Sequence, residues 1–121
     1  MKTTNTDITV NLDSKSAIEY LKSIGFQDDF KDEASIKKAF IASSNDYLNK
    51  KIDTLIYCSV INLLFYTYIM GNQINIIDNN LYSLLSELSE LQYYHLISDS
   101  ERIEACLSNL RQYLSIKNES D

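Results

Sequence analysis

Proline and tryptophan are absent from this sequence of 121 residues; glycine and cysteine occur twice each and histidine once. Each shortage excludes something. Without proline, and with so little glycine, the many tight turns of an all-β sandwich have no residues to build them. Gly25 and Gly71 stand alone, so neither a Walker loop nor a dinucleotide-binding loop can form around them. One histidine and two distant cysteines leave no ligand set for zinc. No Glu-x-x-His pair occurs, and the Asp-x-Asp-x-Asp-Gly run of a calcium loop is missing. No metal and no cofactor are therefore expected. Cys58 and Cys106 imply no disulfide framework, and reduced thiols in a cytoplasmic protein are the expectation. Residues Met1 to Asp7 are polar and lack the apolar stretch of a secretory signal.

What is present is apolar and helical in period. Hydrophobic residues make up 45% of the chain, which is the size of one ordinary domain, so a single helical domain over residues 1–121 is predicted. The expected fold is all-α. It is a compact bundle of four to five helices around a central apolar helix at about residues 46–70, closed by a C-terminal αα-hairpin. Residues 7–12 alternate in polarity and predict a short strand or extended arm, which could pair with Gln73 to Ile76. The first helix follows an Asp13 N-cap, with Ala17, Ile18, Leu21 and Ile24 as its stripe and Gly25 closing it in a Schellman motif with Phe26. The second starts beside Asp28, Asp29, Asp32 and Glu33 and buries Ile36, Ala39, Phe40 and Ser43. Ser43-Ser44-Asn45-Asp46 predicts a break, because these side chains compete for backbone groups. No charge occurs between Asp53 and Asp78, and Leu55 to Met70 is apolar on nearly all sides. That stretch is short of the ~20 residues a membrane span needs and carries Ser59, Asn62 and Thr67, so a buried core helix is expected. Tyr57, Tyr66 and Tyr68 are expected in the core. Leu81, Leu84, Leu85, Leu88, Leu91 and His95 mark one further helix. Ser98-Asp99-Ser100-Glu101 starts the last one, striped by Ile103, Cys106, Leu107, Leu110 and Leu114.

Charge is unevenly distributed. Residues 1–77 hold 8 Lys against 9 Asp+Glu, whereas residues 78–121 hold 3 Lys+Arg against 8 Asp+Glu. Most of the net −6 therefore sits in the C-terminal third, whose natural partner is a protein with a basic surface; nucleic acid and anionic membrane are disfavoured. Catalysis is not expected. Cys58 and Cys106 lie on apolar stripes, and paired carboxylates without histidines make no site. Tyrosine is more informative, since Tyr93 and Tyr94 are adjacent and cannot both point inward from a helix. An exposed tyrosine among carboxylates is common interface chemistry, which makes Glu87, Glu90, Tyr93, Tyr94, Asp99, Glu101 and Glu104 the candidate partner-binding residues. The competing face is Lys37, Lys38, Tyr47, Lys50 and Lys51. The whole-chain profile is similar to that of the small immunity proteins of bacterial toxin systems, with no motif tying it to one family. It implies an inhibitor covering a basic toxin domain. The alternative is a helical adaptor, secretion chaperone or transcription-regulatory module.

Overall fold

The computed structural model describes residues 13–27 and 30–120, with side chains as far as Ile116. Its helices are α1 (Ser14–Ser23), α2 (Glu33–Leu48), α3 (Thr54–Gly71), α4 (Asn79–Leu88), the six-residue α5 (Leu91–Leu96) and α6 (Ser100–Ser120). The architecture is an all-α compact bundle, with no strand among the described residues. The alternating segment at 7–12, with Asp28 and Asp29, lies outside the described residues. Gln73 to Ile76 is an irregular connection, with Ile74 and Ile76 resting against the core.

Aspartate starts these helices. Asp13, Asp32, Asp53 and Asp78 each accept a hydrogen bond from a first-turn amide of α1, α2, α3 and α4. Asp99 does the same for α6, through the Arg102 amide at 3.2 Å. An aspartate in this place satisfies an orphan N–H and puts its charge at the positive end of the helix dipole. Only α5 begins without a side-chain cap.

Left-handed residues end four of them, α1, α2, α3 and α5. Gly25 (φ 99°) closes α1, with Phe26 N–H donating to the Leu21 carbonyl and Gly25 N–H to that of Lys22, the two bonds of a Schellman motif. The same motif recurs after α2 at Lys50 and after α5 at Ser98, and Gln73 takes the left-handed position after α3 (φ 58–62° in all three). A chain with two glycines thus places side chains where glycine is favoured. Lys50→Gly should stabilise the fold by roughly 0.5–1 kcal/mol, the relief of left-handed backbone partly offset by a looser unfolded chain. Chemical denaturation would measure it, and a loss of stability would contradict it.

The predicted break is displaced. α2 runs through Ser43 and Ser44 and ends at Leu48, so the central helix begins at Thr54, not near residue 46. Both serines are buried and locally satisfied. Ser43 Oγ donates to the Ala39 and Phe40 carbonyls, and Ser44 Oγ shares a 2.6 Å hydrogen bond with the Tyr57 hydroxyl. Ser43 bonds back to carbonyls of its own helix and Ser44 has a side-chain partner in the core, so neither hydroxyl is left to break the helix.

α3 is the central element. It packs against α1, α2, α4 and α5, and Tyr57, Val60, Ile61 and Leu64 are completely buried. From Leu63 to Gly71 it winds as a π-helix. Its outer side carries Leu55, Tyr66, Thr67 and Met70 to solvent, so it is not enclosed all round and Tyr66 is not a core residue. By length and composition it could also cross a membrane, with mean hydropathy 1.5, and 56% of it is buried in the fold.

α4 and α5 together run along α6 as the C-terminal hairpin. Its first arm is not one helix. The chain turns at Ser89-Glu90, α5 starts afresh at Leu91, and the Leu stripe continues only as far as that residue. The turn rotates His95 off the seam and into solvent. α2, α4 and α6 meet at Asp78: Lys37 Nζ lies 3.3 Å from its carboxylate, the Tyr113 hydroxyl donates to it at 3.3 Å, and its own N–H donates to Glu33.

Candidate functional site

The short α5 presents a face of its own. Tyr93, Leu96 and Ile97 follow i, i+3, i+4 spacing, which puts them on one side of a helical turn. All three are exposed, at 39%, 45% and 42%. Glu90 precedes Tyr93 by three residues and is also exposed, and Glu101 lies exposed in the first turn of α6. Three apolar anchors, with Glu90 just before them and Glu101 just after them in the chain, make a patch that can lose water at its centre.

Tyr94 faces inward as its partner faces out. It is half-buried, its ring 6.3 Å from that of Tyr93, and the Arg102 guanidinium sits 5.6 Å from its centroid. Arg102 also pairs with Asp99 at 3.3 Å. Tyr94, Arg102 and Asp99 therefore form a brace between α5 and α6, which holds the outward side of α5 in place.

Glu87 has a different setting. It lies on α4 and accepts from Asn109 Nδ2 at 3.1 and 3.3 Å. Since α4 ends at Leu88, Glu87 and Glu90 are not one helical face: Glu90 belongs to the turn before α5. Glu87 lines an open groove of about 290 Å³ between α4 and α6, with Ser83, Leu84, Asn109, Gln112 and Ile116 among its walls. On α6, Asn109 and Arg102 are seven residues apart, about two turns, and share one flank. Glu104 points to the opposite flank, that of Arg111. The seven sequence-predicted residues thus divide three ways: Glu90 and Tyr93 on the α5 side, Tyr94 and Asp99 in its brace with Glu87 in the adjoining groove, and Glu101 and Glu104 exposed on α6.

The basic residues divide as well. Lys37 is paired with Asp78, and Lys38 lines a separate shallow surface on α2. Lys50 and Lys51 join Arg111 around a groove of about 520 Å³ walled by Tyr47, Ile52 and Leu107. These three cations form no ion pair among the described residues. Arg111 was beyond sequence reasoning, because sixty residues separate it from Lys51. Tyr47 is half-buried, stacked on Tyr57 with ring centroids 4.3 Å apart. The exposure of Leu96 and Ile97 was also missed. Its only signal is that they directly precede the Ser98-Asp99 turn.

Both cysteines are buried. Burial pushes the Cys58 thiol up to about 12, against a hydrogen bond from the Gln92 backbone that acts the other way. It pushes Cys106 up to about 11, with the charge of Glu87 adding to the effect. Neither thiol is a nucleophile near neutral pH. Replacing both by alanine should leave partner binding intact, with a stability loss of about 1–2 kcal/mol for the missing packing. A folded double variant that no longer binds would restore a role for them. No group of three or more metal-ligating side chains occurs among the described residues. Comparison with protein-family models, curated proteins and solved structures gives no match in any of the three.

Proposed function

We propose that this protein is a stoichiometric inhibitor that covers a basic surface of another protein, in the manner of an immunity protein or antitoxin neutralising a basic bacterial toxin such as a nuclease. One observation carries the reading: Tyr93 and Leu96 of α5 and its C-cap Ile97 are exposed together, with Glu90 before them and Glu101 after them in the chain. Apolar anchors supply lifetime to a complex, and surrounding carboxylates steer a cationic partner and occupy the surface it uses for phosphate. The net −6 of the chain extends the steering field beyond the face itself.

The test is kinetic. A partner recovered with the protein should bind one-to-one and lose its activity at equimolar inhibitor. Association should slow as salt rises, because the Debye length falls from about 10 Å at 0.1 M to about 3 Å at 1 M. An acidic partner surface, or an association rate indifferent to salt, would count against the proposal. The second reading, an adaptor for an acidic partner, is favoured by the groove where Lys50, Lys51 and Arg111 meet beside a single carboxylate among the described residues, that of the α3 N-cap Asp53. Loss of binding on reversing those three charges, with Glu90 and Glu101 reversal silent, would decide for it.

A further inference from the structure

The groove between α4 and α6 has walls of two kinds. Leu84 and Ile116 are apolar, whereas Ser83, Asn109 and Gln112 offer hydroxyl and amide groups, and Glu87 is the one charged residue lining it among those described. Asn109 donates to both carboxylate oxygens of Glu87 and so fixes the group in place. A carboxylate has about four lone-pair positions, so two hydrogen bonds from one amide leave room for a bidentate donor. Among the described residues no cation lines the groove to neutralise it.

We infer that this groove is a receptor for an arginine side chain of the partner, with the guanidinium on Glu87 and the aliphatic stem against Leu84 and Ile116. A planar fork of N–H donors matches a carboxylate in two parallel bonds, and the three-carbon stem of arginine suits an apolar wall. A volume of about 290 Å³ admits one such side chain with water beside it. The position suits a shared interface. Asn109 marks the groove and Arg102 braces the α5 face, and the two lie about two turns apart on one flank of α6, roughly 10 Å. A standard interface of ~800 Å² per partner spans both. The inference rests on the proposed inhibitor role for its biological occupant, but its test does not need the partner.

The probe is N-acetyl-L-arginine amide titrated into the full chain, followed by backbone amide shifts in nuclear magnetic resonance. Saturating shifts are expected at Ser83, Glu87, Asn109 and Ile116. The neutral citrulline derivative, which keeps the shape without the charge, should produce none. Glu87→Gln keeps the bond to Asn109 and should weaken arginine binding at least about tenfold. Glu104→Gln, on the opposite flank, should leave it unchanged. Absent shifts in the groove, or shifts equal in Glu87→Gln and the parent protein, would overturn the assignment. Either result stands whether or not the α5 face proves to bind a basic partner, so the two failures can be told apart.

Discussion

Replacing Tyr57 with alanine should destabilise the protein by about 3–5 kcal/mol, the largest effect of any single side chain in the core. Tyr57 is completely buried at the junction of α2 and α3, its ring lies parallel to that of Tyr47, and its hydroxyl holds Ser44. Alanine removes the ring, strips Tyr47 of its stacking partner and orphans a buried hydroxyl. The melting temperature should fall by roughly 10–20 °C. Tyr57→Phe separates the contributions: it keeps the ring and should cost only about 1–2 kcal/mol. The alkaline limb gives a second measurement. Burial pushes the Tyr57 phenol far above its ordinary value, and burial with the neighbouring carboxylates of Asp46 and Asp78 does the same for Tyr20 and Tyr113. A value raised in the folded state means stability is fully present below about pH 10 and lost as pH rises beyond it. Phenolate absorbance should therefore appear for these three only together with unfolding, and Tyr57→Phe should flatten that part of the curve. A Tyr57→Ala variant as stable as the parent would mean that the α2–α3 packing is misassigned.

The second large effect concerns binding. Tyr93→Ala, Leu96→Ala and Ile97→Ala combined should weaken the partner complex by about a hundredfold or more, chiefly through faster dissociation. Because the three side chains are exposed, the variant should melt within a few degrees of the parent. Reversing Glu90 and Glu101 to lysine should instead slow association, most at low salt, with little change in dissociation. A split of rates in this sense separates anchors from steering charges. If the triple variant binds like the parent, the α5 face is not the interface, and the groove of Lys50, Lys51 and Arg111 becomes the face to test.

Much of the fold was legible because its local signals are short-range. Asp13 and Gly25 bracket α1 within thirteen residues, and both do what their chemistry favours. The Leu81-Leu84-Leu85-Leu88 stripe reports one buried face and is correct for as long as one helix lasts. The errors lie where a distant partner decides. Ser44 stays helical because Tyr57, thirteen residues on, takes its hydroxyl, and no local propensity contains that fact. The break at Ser89-Glu90 was hidden for a related reason. The chain turns there without proline or glycine, so an unbroken run of leucines reads as an unbroken helix. That small turn sends His95 outward and exposes Leu96 and Ile97. The candidate site was legible in its carboxylates and in Tyr93. Its grouping depends on which flank of α6 each residue occupies, and that follows from packing rather than from composition.

The aspartates that start the helices separate two properties that composition runs together. Asp13, Asp32 and Asp53 count toward acidity, yet their work is to hold amide groups at helix ends. Asparagine caps a helix nearly as well as aspartate. Changing these three to asparagine would take the net charge from −6 to −3 while leaving Glu87, Glu90, Asp99 and Glu101 in place. Such a chain would keep its shape and its candidate contact groups and lose half of its net charge. Nature could therefore retune how quickly this protein finds a partner without redesigning what it touches when it arrives.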